Sequence, residues 1–583
     1  MIAGQHWTKS SPLRRSWITA CFWLLALVLA ALHTWAAIHS DSMNADGIPY
    51  LDIGDAYMRG DWQSAVNPVW SPLYSWLLGA IMALARPTMA WEFALVHVVN
   101  LALFVLALLS FEFFWRQLDR YRKQGIAENG HGFPDWAWWA LGYALFIWMA
   151  LALINTWAVT PDMLMAALAL LAAGLVVRLR MGRDGWRTFV LLGLVLGLAY
   201  LSKSIMFPLA FVFLFAALFA PGDLRRAAPR TGVALLVFLL VSLPFIAAIS
   251  RSHGSVTFGE SGTITYLRHV NGIAYPHWQG ETGDFGRAAH ASRQIFSSPP
   301  IYEFGEPIGG TYPISYNPLY WYEGALVQFD VGRQLQAVLS NGLYYFDLFV
   351  RQQAGLVAGV LLLYLISAGD PRTPRDRRFR NAGHLLRRWG LLLPALAAFA
   401  VYALVYVEGR YVGVFVLLFW SDLLANARLP DSPLSPQIMR AAGMLMVAFL
   451  LANIVAFNLE GYGRLEAAGS AALQAPPARP LEVAGALHEL GVGPGSAVGV
   501  IGYGFDSYWA RLARVRIVAE MLDWQADPFW LGNAALQEHA LAAFAGSGAC
   551  AVVAEYAPAY ARLSGWHQVG ASNYYITLLA EEC

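Results

Sequence analysis

Charge is what this sequence has least of. Asp, Glu, Lys and Arg make up 13% of its 583 residues, against roughly 25% in an ordinary soluble chain. Hydrophobic residues reach 58% and the mean hydropathy is +0.47, a composition that excludes a water-facing globular surface and fits a membrane protein. Cysteine is almost absent. Cys21, Cys550 and Cys583 stand far apart without metal-ligand spacing, which excludes a cysteine metal module. Cys21 falls in an apolar run, whereas Cys550 and Cys583 can pair if their segment is oxidised, although sequence alone does not establish their proximity. There is no P-loop, no G-x-S-x-G elbow and no H-E-x-x-H. Internal repeats, low-complexity tracts and a basic patch interleaved with aromatics are also missing, so nucleic acid is not an expected partner. Gly502-Tyr-Gly504 lacks the rest of a dinucleotide fingerprint and reads as a strand-to-loop turn.

What is present is apolar length. Eleven hydrophobic segments fall at about 17–39, 88–114, 136–156, 161–179, 187–202, 205–220, 231–250, 353–368, 389–407, 411–427 and 440–457, and a span needs about 20 residues. The first follows Lys9, Arg14 and Arg15 but is too long for a signal peptide's apolar core and has no clear cleavage site, so it reads as a retained helix. The apolar stretch 72–86, bracketed by Pro72 and Pro87, reads as an interfacial or re-entrant helix. Basic clusters follow the second, fourth, sixth and eighth segments: Arg116, Arg120, Arg122, Lys123; Arg178, Arg180, Arg183, Arg187; Arg225, Arg226, Arg230; and the run from Arg372 to Arg388. Lys and Arg mark cytoplasmic loops, which predicts a cytoplasmic N-terminus and an external C-terminus.

Three parts are then external: the loop 40–71, the loop 251–338 rich in Gly, Pro, Tyr and Trp, and the tail 460–583. After the linker Gln474–Pro480, helix-like patterns at 481–490 and 536–544 alternate with strand-like ones at 497–501, 515–519, 549–554 and 574–579, which reads as a small α/β domain. The expected fold is an α-helical polytopic membrane protein of about eleven transmembrane helices in residues 1–459, with an external C-terminal α/β domain in 460–583.

Charged residues at membrane level are costly and therefore candidates for function. Asp46, Asp52, Asp55 and Asp61 crowd the first external loop, with Asp52 and Asp55 on one helical face. A carboxylate beside apolar surface can act as a general base; it can also simply cap a helix. Lys203 sits at an external span end, suited to a lipid-linked phosphate or merely snorkelling. In Glu408-Gly-Arg410-Tyr411, Arg410 can grip a phosphate with two N–H groups or pair with Glu408. The long outer loop gathers Tyr266, His269, Tyr275, Trp278, Tyr312, Tyr316, Tyr320, Trp321 and Tyr322, as interface packing or as stacking surface for sugars; His269 and Glu323 are candidates for substrate contact. Acids such as Glu92, Glu112 and Asp162 lie at span edges, which disfavours a proton-coupled pump.

The order of these features resembles the GT-C superfamily of integral-membrane glycosyltransferases, and within it glycosyltransferase family 39, the protein mannosyltransferase and lipid A aminoarabinose transferase group. Asp46 matches the first acid of that family's external loop, Gly60-Asp61-Trp62 its helix end, Ser71-Pro72-Leu73-Tyr74 its proline segment, Leu198-Ala-Tyr-Leu-Ser-Lys203 its lysine motif, and Arg410-Tyr411 its late Arg-Tyr element. Gly47 replaces the second acid and Trp70-Ser71 the usual Lys-Pro. The resemblance implies a polyprenyl-phosphate-linked sugar donor and a lipid, glycan or protein acceptor at the outer face of a bacterial inner membrane, with inversion and without a metal or other cofactor. It implies Asp46 as general base, Lys203, Arg410 and Tyr411 on the donor phosphate, and Asp52, Asp55, Tyr74 and His269 in positioning the loop or sugar. A flippase or lipid transporter, or a degenerate glycosyltransferase scaffold that binds a partner, are the competing readings; a transporter would carry polar midplane residues or repeated halves.

Overall fold

A computed structural model describes residues 12–40, 43–128, 131–273, 276–280, 285–368, 390–471, 480–580 and 583. Every predicted apolar segment lies on a helix: α1 (Pro12–Ser40), α5 (Met89–Glu128), α6 (Asp135–Trp148, continued as a π-helix to Ile154), α7 (Asp162–Arg180), α8 (Trp186–Ser202), α9 (Met206–Phe219), α10 (Leu224–His253), α15 (Ala354–Ala368), α16 (Leu392–Val405), α17 (Gly409–Asn426) and α18 (Ser435–Ala471). Among the described residues six helices are long and apolar enough to cross a membrane, or seven if the pair Val331–Arg351 and Ala354–Ala368, bent by 75°, counts as one span. This is a multi-pass membrane protein. Helices α8, α9 and α16 are apolar but shorter. Lys9, the cluster Arg372–Arg388, Tyr275 and the linker 474–479 lie outside the described residues.

Helices α6 and α7 are almost wholly enclosed by other helices, whereas α1, α10 and α18 turn most of their apolar surface outward, as lipid-facing helices do. The basic loops meet: Arg230 bonds the Asp184 carbonyl oxygen at 2.7 Å, and Arg180 lies 4.0 Å from Asp422.

Between α1 and α5 the first loop folds into α2 (Gly47–Arg59), one turn of α3 (Trp62–Ala65) and α4 (Pro72–Ala85). Gly60, at φ +74°, closes α2, and the Asp61 carboxylate accepts the Ser64 N–H at 3.2 Å to start α3, the left-handed stop and acidic cap their residue types favour. Pro72 starts α4, where its missing N–H costs nothing. Helices α2 and α4 touch backbone to backbone: a Cβ on Gly79 would lie 2.5 Å from the Gly54 carbonyl oxygen.

The loop 251–338 is more structured than its composition suggests. It holds α11 (Ser261–His269), β1 (Arg293–Ser297), β2 (Pro300–Glu303), the single turns α12 (Pro313–Tyr316) and α13 (Pro318–Trp321), and the first turns of α14 (Val331–Phe346). Leu335, Leu339 and Leu343 make an exposed stripe on α14, while Gln334 and Asn341 reach the Leu404 and Ala403 carbonyl oxygens. Those polar residues dilute the hydropathy and conceal the helix.

The tail carries α19 (Pro480–Glu489), β3 (Ala497–Gly502), α20 (Tyr508–Leu512), β4 (Arg516–Leu522), α21 (Asp527–Leu531), α22 (Ala534–Gly546), β5 (Ala551–Ala554), β6 (His567–Gln568) and β7 (Tyr575–Leu578). All strands join one sheet in the order β1-β2-β4-β3-β5-β7-β6. β3 runs parallel to β4 and β5, and β2 pairs antiparallel with β4 through Tyr302–Glu520. Loop and tail thus share one sheet. Cys550 and Cys583 form a disulfide with Cα atoms 5.4 Å apart. The Gly502-Tyr-Gly504 turn is occupied by the protein's own carboxylates: the Tyr503 N–H donates to Glu555 at 3.0 Å and the Gly504 N–H to Glu520 at 2.7 Å.

Candidate active site

Asp46 occupies the N-cap position of α2 but makes no cap hydrogen bond. An aspartate there normally accepts a backbone N–H, worth about 1 kcal/mol to the helix. Its carboxylate instead accepts from the Arg410 guanidinium at 2.9 Å. Asn44 anchors the preceding turn, accepting the Val159 N–H at 2.7 Å. That contact fixes the Asp46 backbone against the loop between α6 and α7, where Asn155 holds a left-handed φ of +60° and accepts the Ala158 N–H at 2.8 Å.

Arg410 stands in the first turn of α17 and pairs with Glu408 at 3.0 Å as well as with Asp46. Asp162, in the first turn of α7, lies 3.9 Å from it. Asp162 is 1% exposed, and its site at a helix N-terminus favours negative charge. Lys203, the residue that ends α8, donates to Asp162. Its ammonium sits 3.8 Å from the centre of the Tyr411 ring, a cation–π contact that partial burial strengthens. Tyr411 stacks in turn on Tyr402.

Asp46, Asp162, Lys203, Glu408, Arg410 and Tyr411 line a cavity of about 330 Å³, closed from the loop 251–338 by Arg268 and His269 and on another side by Tyr50 and Trp70. His269 stacks on Tyr406 with ring centres 4.0 Å apart. Burial, with the Arg268 charge beside it, lowers the His269 pKa, so the imidazole is neutral at pH 7. Lys203, Arg268 and Arg410 match Asp46, Asp162 and Glu408 in number, so the cavity lining balances its own charge. A phosphate entering it would meet an ammonium and a guanidinium already aimed inward, and Asp46, a third exposed, remains within reach of a second substrate.

Of the residues expected at the site, Asp46, Lys203, His269, Arg410 and Tyr411 line this cavity; three do not. Asp52 and Asp55 leave α2 on another side and bind the tail. The Asp52 carboxylate accepts from Thr311 N–H at 2.7 Å and Arg511 at 2.6 Å, while Asp55 accepts from Arg511 at 3.0 Å and Arg514 at 2.8 Å. Burial raises the Asp52 carboxyl pKa against the pull of Arg511; at Asp55 burial works the same way, but Arg511 and Arg514 outweigh it and hold the carboxyl below its ordinary value. Tyr74 is fully buried behind Tyr50, edge-on to it at 5.2 Å and donating to Asn100 at 2.7 Å. It supports the wall without forming it.

Gly47 has a steric explanation. A Cβ there would lie 2.4 Å from the Met43 sulfur and 3.0 Å from the Val159 Cβ, so an acid at this position would have to displace the Met43 side chain. Sequence reasoning took Asp162 only as a span-edge acid, directly after a proline, and passed over Arg268, Arg511 and Arg514. Among the described residues no group of three or more His, Cys, Asp or Glu side chains gathers to hold a metal.

No protein-family model matches the chain, and no curated protein matches it in sequence. Solved structures similar to it include ArnT from Cupriavidus metallidurans in the apo state, at 12% identity and a TM-score of 0.48, covering 96% of this chain and 98% of that one. The same protein bound to undecaprenyl phosphate gives 12% identity and 0.49, with coverage of 96% and 99%. The Archaeoglobus fulgidus oligosaccharyltransferase tethered with an acceptor peptide gives 14% and 0.48, covering 92% of this chain and 69% of that one.

Proposed function

We propose that this chain is an integral-membrane glycosyltransferase that moves a sugar from a polyprenyl-phosphate-linked donor to an acceptor at the outer face of a bacterial inner membrane. The observation that carries the proposal is the convergence of Asp46, Lys203 and Arg410 on one cavity, with Asp46 diverted from capping its helix to face it.

In this reading the donor phosphate docks against Lys203 and Arg410, with Tyr411 beneath the ammonium. Arg410 presents N–H pairs to phosphate oxygens and shifts toward them from Asp46. The released carboxylate accepts the proton of the acceptor hydroxyl or amine as that atom attacks the anomeric carbon. The bond from the anomeric carbon to the phosphate oxygen breaks, the sugar inverts, and the phosphate leaves with its added charge stabilised by the two cations. His269 and Trp70 offer ring surface for the sugar. The acceptor class stays lipid, glycan or protein.

Membranes containing the protein, incubated with radiolabelled polyprenyl-phosphate sugars, test it. Transfer should fall about 10²-fold or more in Asp46→Asn, the range expected for a lost general base, while the variant still binds undecaprenyl phosphate. Unchanged transfer in that variant would remove Asp46 as the base, and no donor consumption by the wild type would overturn the whole assignment.

A further inference from the structure

Among the described residues, Arg511 pairs with more carboxylates than any other cation outside the cavity. It lies in α20, is 2% exposed, and bonds three carboxylates from two other parts of the chain: Asp52 at 2.6 Å, Asp55 at 3.0 Å and Glu92 at 2.9 Å. Arg514 adds 2.8 Å and 2.9 Å contacts to Asp55 and Glu92, and does so from a left-handed φ of +58°, a conformation a non-glycine residue keeps only when its surroundings impose it. Thr311 completes the Asp52 shell with two hydrogen bonds.

A buried charge cluster is a poor way to gain stability, because desolvating its members cancels most of the attraction; apolar side chains of the same volume would serve as well. What the planar fork of an arginine supplies is one fixed orientation. The element it orients is α2, thirteen residues long and too short to hold its shape or heading alone. Asp46 stands at the start of that helix, about 9 Å along the axis from Asp52 at 1.5 Å per residue. On its opposite side α2 touches α4 at Gly54 and Gly79, so the arginine fork and the glycine contact grip it from two sides.

We infer that Arg511 is a positioning residue through which the tail sets the rotation and height of α2 and thereby aims the Asp46 carboxylate into the cavity. The inference rests on Asp46 being the base in the proposed transfer.

Four variants of the full-length protein in nanodiscs test it: Arg511→Met, Arg511→Lys, Arg514→Met and Arg516→Met. Arg516, in β4, pairs with Glu306 beyond the end of β2 rather than with a carboxylate of α2, so Arg516→Met is the control. Hydrogen exchange of amides 47–60 should rise at least tenfold in Arg511→Met, with α7 unchanged. Turnover per folded molecule should drop at least tenfold, while affinity for undecaprenyl phosphate stays within twofold. Arg511→Lys, able to reach one carboxylate, should recover part of the loss. In an Asp46→Asn background, Arg511→Met should cost nothing further. A merely structural residue would lower the folded fraction and leave turnover per folded molecule alone, and that result overturns the inference, as does unchanged exchange in α2. If Arg511→Met does not fold, Arg514→Met, half exposed and one layer out, should show the same pattern at a few-fold amplitude, and its failure to do so counts equally against the inference. If Asp46→Asn leaves turnover unchanged, the base assignment fails, and the exchange measurement alone decides whether Arg511 orders α2.

Discussion

Replacing Lys203 with methionine leaves the Asp162 carboxylate, 1% exposed, without its nearest cation. Stripping one partner from a buried pair costs about 3–5 kcal/mol. Arg410 at 3.9 Å from the other Asp162 oxygen absorbs part of this, so about 3 kcal/mol is expected for Lys203→Met. Asp162→Asn should cost less, about 1 kcal/mol, because the lysine is 21% exposed and can turn toward water. In the double variant no buried charge is stranded, and methionine and asparagine fill nearly the volumes they replace. Thermal unfolding in detergent should therefore rank Lys203→Met lowest and bring the double variant back above it. Affinity for undecaprenyl phosphate should stay at least tenfold down in both, since the cation is gone in both. A double variant that falls by the sum of its two parts would show that the pair is not coupled. One that binds the lipid phosphate normally would show that Lys203 does not face it.

Gly79→Ala should destabilise the protein by about 1–3 kcal/mol, the usual range for overpacking, because the new methyl meets the Gly54 carbonyl oxygen at 2.5 Å and two backbones must separate; the midpoint of thermal unfolding reads it directly. Burial raises the Glu555 carboxyl pKa to about 7, so folding takes up a proton between the unfolded and folded values. This group's stabilisation is complete below pH 4.5, is lost as pH rises toward 7, and amounts to about 3 kcal/mol at most; unfolding of the sheet at pH 5.5 and 8 measures the difference, and a sheet more stable at pH 8 would contradict it. Reducing the Cys550–Cys583 bond, across a separation of 33 residues, should cost about 3–4 kcal/mol by the loop-closure estimate, seen as a lower midpoint for the tail in dithiothreitol.

The membrane helices were legible because a span needs long apolar runs and little else, and the tail's strands because β3, β4, β5 and β7 alternate with turn residues. Helix α14 was not, since its exposed leucines share the helix with Gln334, Gln336 and Asn341. Strands β1 and β2 were hidden for a different reason. Arg293–Ser297 has no hydrophobic run of its own and becomes a strand by pairing with its neighbour. At the cavity, sequence position was enough to bring Asp46, Lys203 and Arg410 forward, each being a charge at a span edge. What sequence position does not show is that Asp52 and Asp55 leave α2 on another side from Asp46 and bind the tail. Their division depends on which way α2 is rotated, and that rotation is set by arginines more than four hundred residues further on.

The pairing of β2 with β4 has a consequence for how the molecule is made. β1 and β2 leave the ribosome well before β4, and every helix from α14 to α18 is made in between. Until the tail follows, the loop carries an unpaired strand edge outside the membrane, and such edges invite contact with other chains. Closing a sheet across so long a separation is slow. The shared sheet therefore cannot mature domain by domain during synthesis; it waits for β4, and a chain stopped short of β4 would keep its helices yet present an open edge for chaperones and proteases to find.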